Sequence, residues 1–311
     1  MSAGSIVEGA EVRVARSAKV FSYSAEHEPA VTVAPGQTLI VETTSAFGEF
    51  PLEPGDELTG LDVERCDPLT GPIAIEGALP GDVLEVHIDA IELEGLGIQG
   101  VLPGIGILDW PTLPLEFLAV EDGEIVFPGG LRLRARPNLG CLGVAPAGAP
   151  VASVLPGDHG GNIDTRYVCA GSVVQFPVFA PGGLLFMGDC HQLQGDGELC
   201  GVAPETDAVV TLRCTIRRDL GTIARPRIVT RDRVMFIGSA ETLEAAGALA
   251  TRDLVDAVVA ATGLSEDHAY LLVTMKADLE VSQVVNGLRT ARVCIDRQFF
   301  EGLRDARAAL S

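Results

Sequence analysis

Closely spaced turns constrain the fold of this chain more than any other feature of its sequence. The dipeptide Pro-Gly occurs seven times, beginning at Pro35, Pro54, Pro80, Pro103, Pro128, Pro156 and Pro181. Proline presets the first corner of a β-turn, and glycine accepts the positive φ of the second corner. Several of these turns precede short runs of β-branched or alternating residues, such as residues 37–43 and 82–93. Regularly spaced short strands are typical of a β-sandwich or a β-barrel.

Further strand patterns follow along the chain, and helical patterns are confined to its C-terminal fifth. Residues 124–127 and 131–137 predict a hairpin, and residues 207–219 predict another strand. Residues 240–263 are rich in alanine and leucine and end at Gly263, a typical C-terminal stop for a helix. Ser265 and the two acidic residues after it form a good N-cap and first turn. Residues 294–310 are expected to begin as a strand and finish as a short helix.

These patterns divide the chain into two parts. We predict a β-rich body over residues 1–237, which carries the functional loops. We expect an α+β segment over residues 238–311 to pack on that body. No long polar linker separates the two parts in the sequence.

The net charge of −21 and the pI of about 4.5 limit the partners of the chain. An acidic surface repels nucleic-acid phosphates and anionic lipids, so neither nucleic acid nor a membrane is expected as a partner. The most apolar segment, residues 172–188, is interrupted by Pro177 and Pro181. It is also shorter than the roughly 20 residues that span a bilayer, and we interpret it as two buried strands joined by a turn.

The cysteines and the N-terminal sequence predict a cytoplasmic location. The seven cysteines have irregular spacing without a CxxC pair, which is typical of reduced thiols in the cytosol. The first residues lack the continuous apolar stretch of a secretory signal.

Polar residues that can carry chemistry are concentrated in two segments on either side of residues 172–188. If the strands between them form a hairpin, the two polar segments can meet at one end of a sheet. Imidazole and carboxylate groups together suit a borderline divalent ion such as zinc. The first segment, residues 156–166, offers Asp158, His159, Asn162, Asp164 and Arg166, and the second, residues 188–201, offers Asp189, His191, Gln192, Gln194, Asp196 and Glu198.

Three other interpretations of these segments stay open at this point. Asp, Asn and Gly are ordinary turn formers, and Asp196-Gly197 is a common hairpin turn, so the residues can be purely structural. A non-catalytic β-sandwich module with acidic loops can bind a small ligand or calcium. Cys190 can act as the nucleophile of a thiol hydrolase. An extended segment, however, directs Cys190 away from the face that carries His191.

The same segments resemble the acetamidase/formamidase family. Residues 160–164 (GGNID) and 188–201 (GDCHQLQGDGELCG) match its two polar motifs. Three further segments also resemble the family, and all five occur in its order: residues 70–91, 139–147 and 264–286. The match departs at residues 27–50, which lack the tryptophan and aspartates expected there, so the acyl group of the substrate stays open.

The resemblance implies hydrolysis of short aliphatic amides to a carboxylate and ammonia. It also implies a jelly-roll-like β-sandwich core with a smaller β-barrel-like part and an α+β C-terminal segment. The expected partners are a small amide substrate and further copies of the chain, in a dimer or a larger homo-oligomer. The expected cofactor is a divalent metal ion, with zinc favoured and calcium as the alternative.

We assign candidate roles to twelve residues on these grounds. Glu198 is expected to move a proton between the attacking water and the leaving amine. Glu205 is considered as a supporting residue. Candidate catalytic residues are Glu198, Asp196, Asn162 and Gln194; candidate substrate-binding residues are Gly161, Asp164 and Glu76; candidate metal ligands are Asp158, His159, Asp189, His191 and His27.

Overall fold

A computed structural model describes the backbone of residues 11–310 and the side chains of residues 11–303. Strands dominate this part of the chain, which confirms the predicted mainly β fold. The strands, β1 to β22 in chain order, are Val12–Val14, Lys19–Val20, Ser22–Tyr23, Val31–Val33, Thr38–Thr43, Leu69–Ile75, Val83–Gln99, Glu116–Leu118, Val120–Glu121, Glu124–Phe127, Leu131–Arg134, Asn138–Val144, Val151–Ala152, Pro156–Gly157, Gly160–Asn162, Val173–Pro177, Leu185–His191, Glu205–Arg217, Arg227–Val229, Arg233–Ala240, Ala277–Gln283 and Arg289–Asp296. The α-helices, α1 to α3, are Leu243–Thr262, Glu266–Lys276 and Arg297–Leu310.

Most strands belong to one curled sheet that consists of two ladders. The first ladder runs β1-β5-β18-β7-β16-β19-β20-β22-β21. The second runs β4-β6-β17-β12-β15-β14. The ladders join where β17 pairs with β18, in the register His191 opposite Glu205. The end of β17 therefore lies at the junction of the two ladders.

The hydrophobic core fills the space between the ladders. Side chains from β5, β7, β16 and β18 contact side chains from β6, β12 and β17 in one cluster of buried residues. All residues of β12 and β17 are buried, whereas β18 alternates between buried and half-buried positions over much of its length. The difference in burial arises because β12 and β17 are covered on both faces of the sheet, whereas β18 is not.

The local sequence signals give the expected elements. Residues 82–93 and 207–219 lie largely in β7 and β18, and the predicted hairpin forms from β10 and β11. Helix α1 ends at Gly263, which adopts the left-handed conformation with φ of 75°. The Ser265 side chain caps α2 by accepting from the backbone N–H of His268.

The predicted hairpin of residues 172–188 is wrong. Its two strands form, but β16 pairs with β7 and β19, whereas β17 pairs with β6, β12 and β18. The segment between them is held by residues 78–82, because Val178 N–H donates to the Asp82 carbonyl and Gly182 N–H donates to the Ala78 carbonyl. The connection therefore leads the chain from one ladder to the other.

The C-terminal segment extends the sheet of the body. The predicted boundary at residue 237 falls inside β20, which pairs with β19 on one side and β22 on the other. Helix α1 packs on β20 and β22 through a second apolar cluster that includes Phe236, Leu254 and Val293. Among the described residues, none of the helices has the length and apolar character needed to cross a membrane.

Candidate active site

Five carboxylates and one histidine lie close together where the two ladders join. Strand β17 supplies Asp189 and His191, and Glu205 is the first residue of β18. The other carboxylates lie on loops next to strands of the second ladder: Asp67 before β6, Asp164 after β15 and Glu198 after β17. All six side chains are buried.

Four of these carboxylates face the same nitrogen of His191. The Nε2 atom lies 3.2 Å from Asp189 Oδ1 and 3.3 Å from Glu205 Oε2. It lies 3.8 Å from Asp164 Oδ1 and 4.0 Å from Glu198 Oε1. These distances make His191 Nε2 the centre of the cluster.

The mutual pKa shifts reflect this crowding. Burial by itself would lower the pKa of His191, but the Glu205 and Asp189 carboxylates raise it well above its usual value. Burial would raise the pKa of Asp189, and the charge of His191 outweighs that cost and lowers it. Burial raises the pKa of Asp164 to about 6 and those of Glu198 and Glu205 well above their usual range. One imidazolium cannot neutralise so many carboxylates, so the cluster favours an added cation.

The backbone takes unusual conformations at these carboxylates. A positive φ is uncommon for residues other than glycine and costs free energy, so it persists where the surrounding structure enforces it. Six described residues other than glycine have a positive φ, and four of them belong to the cluster: Asp67 (51°), Asp164 (40°), Asp189 (55°) and Glu198 (48°). The local backbone therefore directs four acidic side chains toward one point.

Gly140 of β12 has no side chain, and two of the carboxylates occupy the space beside it. A Cβ atom added to Gly140 would lie 2.1 Å from Asp189 Oδ2 and 2.4 Å from Asp164 Oδ1. Only glycine at this position allows both carboxylates to lie against the strand.

The donor set fits a divalent metal ion. Three overlapping groups bring their potential ligand atoms within 4.8 Å of one another: Asp189, His191 and Glu205; Asp164, His191 and Glu198; Asp67, Cys141 and Asp189. Two buried oxygens at the centre, Asp164 Oδ1 and Glu205 Oε2, lack a hydrogen-bond partner among the described residues. Buried oxygens without a partner are costly, and a cation would satisfy them.

Three asparagines hold the cluster in place. The Asn138 side-chain amide lies 3.3 Å from His191 Nδ1 and donates to Gln194 Oε1 at 2.7 Å. Asn162 donates to Asp67 Oδ2 at 3.0 Å, and Asn286 donates to Asp164 Oδ2. Asn286 comes from the C-terminal segment, so both parts of the chain support the site.

A cavity of about 290 Å³ opens onto the carboxylates. Its polar side is formed by Asp67, Asn162, Asp164, Asp189, Glu198, Glu205 and Asn286, and its apolar side includes Ala46, Phe47, Leu61, Val63, Leu102, Ile105, Val154, Leu155 and Val285. A small substrate in this cavity would contact the carboxylates directly.

Several residues singled out in the sequence come together here. Asp164, Asp189, His191 and Glu198 belong to the cluster, and Asn162 lines the cavity. Two others support it from nearby. Gln194 bonds to Asn138, and Gly161 pairs with Leu142 between β15 and β12.

The structure does not bring three of the predicted metal ligands to the cluster. Asp158 is exposed at the turn between β14 and β15 and lies 3.6 Å from an Arg225 nitrogen. His159 packs against the Tyr23 ring at a centroid distance of 4.7 Å, and burial lowers its pKa to about 4. His27 Nε2 lies 3.0 Å from Ser22 Oγ. The tight β14–β15 turn explains the first two positions, because it directs Asp158 outward and His159 toward the core.

Two other candidates also lie outside the cluster. Asp196 Oδ2 accepts a hydrogen bond from Arg292 at 2.6 Å, and this bond helps to hold the loop that carries Glu198. Glu76 is exposed in the turn after β6 and does not line the cavity. Each of these positions follows from a local turn or ion pair that the sequence motif does not reveal.

Four members of the site carry no motif that predicts them: Asp67, Asn138, Cys141 and Asn286. Glu205 is predicted only as a supporting residue, although it lies in the cluster. Three of the four flank or belong to the family-like segments at residues 70–91 and 139–147. Only strand pairing brings these residues next to residues 156–201, so the sequence by itself gives no signal that they belong to the site.

Cys190 does not reach the cavity. It is fully buried in the main core cluster, on the face of β17 opposite Asp189 and His191. Burial raises the pKa of its thiol. A thiol with this environment is a poor nucleophile, which removes the support for a Cys190 hydrolase.

Comparisons with known proteins lead to a single family. The sequence profile of the acetamidase/formamidase family matches residues 20–109 and 143–295. A structure titled as a predicted acetamidase/formamidase from Thermoanaerobacter tengcongensis is 34% identical, with 94% of this chain and 98% of that chain covered and a TM-score of 0.90. An acetamidase structure from Bacillus halodurans is 36% identical, with 94% and 99% covered and a TM-score of 0.88.

The curated relatives are longer proteins. A putative formamidase of Schizosaccharomyces pombe is 30% identical in an alignment of 227 residues, with 53% of this chain and 55% of that protein covered. The chain thus spans about half the length of the curated relatives that it matches. The family profile covers most of the chain, including the loops that carry the carboxylate cluster. The chain belongs to the acetamidase/formamidase family.

Proposed function

We propose that this protein hydrolyses the carbon–nitrogen bond of small linear amides and releases a carboxylate and ammonia. One observation carries the proposal: four buried carboxylates face His191 Nε2, and all four line a substrate-sized cavity. Family membership supports the choice of amides, since two solved relatives are named as an acetamidase and a predicted acetamidase/formamidase.

We propose Asp189, His191 and Glu205 as the ligands of a divalent ion, with zinc favoured. Nitrogen from imidazole and oxygen from carboxylates are the donors that zinc accepts, whereas calcium prefers oxygen alone. A bound ion of this kind polarises a carbonyl group and lowers the pKa of water. The Asn138 side chain lies beside His191 Nδ1, so the other ring nitrogen, Nε2, faces the carboxylates.

Glu198 is the proposed proton carrier. Attack of water on the amide carbon breaks the C–N bond, and a water proton must then reach the departing nitrogen. Glu198 lines the cavity, and its carboxyl oxygen lies 4.0 Å from His191 Nε2. Its carboxylate can accept the proton and pass it to the nitrogen, which leaves as ammonia.

Asn162 is the proposed donor to the oxygen that becomes negative during attack. Its side-chain amide uses one N–H for Asp67, and the residue lines the cavity. The second N–H of this amide is available to a substrate oxygen.

The test measures ammonia release from formamide, acetamide, propionamide and urea before and after chelator treatment, with metal content determined on the same sample. We expect activity to disappear with the chelator and return with zinc. Substitution Glu198→Gln should lower kcat by at least about 100-fold, in the range of lost acid–base catalysis, while bound metal stays stoichiometric. Substitution Cys190→Ala should leave kcat within a few-fold.

Other outcomes would separate the alternatives. Chelator-resistant activity that is lost in Cys190→Ala would contradict the proposal and favour a thiol mechanism. A tightly bound ion without ammonia release from any amide would favour a ligand-binding module.

A further inference from the structure

The cavity at the cluster is much larger than the smallest amides require. Its volume of about 290 Å³ is several times the roughly 30 Å³ that one water molecule occupies in the liquid. Formamide and acetamide would fill only the part that contacts the carboxylates. The remaining volume lies against apolar side chains.

The apolar wall is the surface of a packed cluster. Phe47, Leu61, Leu102 and Val154 belong to a group of contacting side chains that continues inward to Leu58. Such a wall is supported from behind, so it can accept an apolar group without rearrangement. Contact with the wall would remove apolar surface of a substrate from water.

The charges of the cavity exclude a second class of substrate. Its described lining contains four acidic residues besides Asp67 and no lysine or arginine. The proposed metal ion lies at the carboxylates, so a charged group at the far end of an acyl chain would meet apolar side chains there and would lose its hydration without a lysine or arginine to pair with. An uncharged acyl chain does not have this cost.

We infer that the preferred substrates are primary amides with an uncharged, apolar acyl chain of about four to six carbons. This inference rests on the proposed amide hydrolysis and specifies its substrate class. The amide group would lie at the carboxylates, and the acyl chain would extend along Phe47 and Leu61 toward the rim at Val63, which is 56% exposed. Each methylene buried in this way should raise kcat/KM about fourfold, which corresponds to the usual transfer free energy.

The experiment compares kcat/KM for acetamide, butyramide, hexanamide and adipamic acid, with the last two matched in length and different in terminal charge. We expect kcat/KM to rise at least tenfold from acetamide to hexanamide and to fall again for adipamic acid. Values that are equal or decrease with chain length would overturn the inference, although the proposed hydrolysis would stand.

A binding measurement separates failure of this inference from failure of the proposed function. Isothermal titration calorimetry of acetamide and hexanamide on the metal-loaded protein needs no turnover. Tighter binding of hexanamide without ammonia release would support the apolar cavity and contradict the amidase activity. Equal binding, or none, without ammonia release would overturn both.

A variant at the rim tests the position of the acyl chain. Substitution Val63→Trp places a larger side chain at an exposed position of the cavity, so folding should be unaffected. The ratio of kcat/KM for hexanamide to that for acetamide should fall at least fivefold. Leu79→Trp is the matched control, because Leu79 is equally exposed but does not line the cavity. An unchanged ratio in Val63→Trp would contradict the assigned path of the chain.

Discussion

The carboxylate cluster depends on individual residues in conformations that most side chains avoid. Asp164 and Asp189 both have a positive φ, and both lie against the backbone of Gly140. Strained backbone is retained only where the surrounding structure enforces it. Here the neighbouring strands β12, β15 and β17 enforce it, because their hydrogen bonds fix the residues on either side. The strain and the missing side chain at residue 140 together allow two buried acids to approach each other.

Substitution Gly140→Ala should therefore damage the site more than the fold. The new Cβ would overlap Asp189 Oδ2 and Asp164 Oδ1 and push both carboxylates away from the proposed metal position. We expect kcat/KM for acetamide to fall at least about 100-fold, with a loss of about 1–3 kcal/mol in the free energy of unfolding from overpacking. Steady-state kinetics and urea denaturation measure these two effects, and metal content after dialysis shows whether the proposed ion is lost.

Gly195→Ala is the matched control for this prediction. A Cβ at Gly195 meets no heavy atom within 4 Å, and the residue lies in the loop that carries Glu198. This variant should keep both metal content and stability. Wild-type metal content in Gly140→Ala would mean that the carboxylates can move without losing the ion.

His159 makes the free energy of unfolding depend on pH, and it does so from a position outside the candidate active site. Burial lowers its pKa from 6.5 to about 4, and its ring packs against Tyr23. The unfolded chain thus binds a proton more readily, so stability is fully present above pH 6.5 and decreases as the pH falls toward 4. Between pH 7 and pH 5 this residue should remove about 2 kcal/mol from the free energy of unfolding.

Urea denaturation of wild type and His159→Gln at these two pH values measures that contribution. Glutamine does not titrate, so the variant should lose less stability between pH 7 and pH 5 by about 2 kcal/mol. Parallel losses in both proteins would show that His159 is not protonated on unfolding. The comparison cancels the other titrating groups, which are shared.

At the scale of whole elements, the sequence predicts those features that depend on residues close together in the chain. The caps at Ser265 and Gly263 and the β10–β11 hairpin each depend on residues close in sequence, and all three were predictable. The pairings of β16 and β17 depend on distant strands, so the predicted hairpin failed. Asp67 and Asn138 reach the site through the same distant pairings, and their sequence context gave no chemical signal.

Long-range contacts fix the loop that carries Glu198. Arg292 of β22 is fully buried and pairs with Asp196 at 2.6 Å and with Glu280 at 2.7 Å. The same loop is held by backbone bonds from Gly197 N–H to the Ser282 carbonyl and from Val284 N–H to the Gly197 carbonyl. The C-terminal strands therefore position a residue of the β-rich body.

Substitution Arg292→Met should loosen this loop. It leaves Asp196 and Glu280 without their buried cation, and both carboxylates keep partial access to water. We expect a loss of about 1–3 kcal/mol in stability, below the full cost of an isolated buried charge, and at least a tenfold lower kcat. Thermal unfolding and steady-state kinetics measure the two changes.

Arg233→Met is the matched control for Arg292→Met. Arg233 pairs with the same Glu280 at 2.7 Å but has no bond to Asp196, and it is partly exposed. Its loss should cost less than about 1 kcal/mol and leave kcat unchanged. Equal kinetic effects in the two variants would assign the role to Glu280 and not to the Asp196 contact.

At the scale of the whole molecule, the site lies where separate parts of the chain converge. The first ladder provides Glu205, the second provides Asp189 and His191, and the C-terminal segment provides Asn286. A site assembled in this way forms only when both ladders and the C-terminal segment have folded. Its stability is thus tied to the global unfolding of the chain.

We propose that copies of the chain associate through an exposed apolar loop, since the resemblance to the family implies a homo-oligomer. Ile107, Leu108, Trp110 and Leu113 lie on one loop between β7 and β8, and all are exposed. Apolar residues clustered on a surface are typical of an interaction site. A homo-oligomer that buries this loop would remove them from water.

Substitution Leu108→Glu tests this association. Leu108 is 64% exposed, so the single chain should tolerate the charge, whereas an interface that buries it should not. We expect light scattering after size-exclusion chromatography to give a smaller assembly than wild type. Trp110 is the only tryptophan in the sequence, so its emission should shift to longer wavelength as it becomes exposed. Leu79→Glu, at a similarly exposed position on another turn, should keep the wild-type mass and emission. If Leu108→Glu keeps them too, the oligomer forms through another surface, or the protein is a monomer.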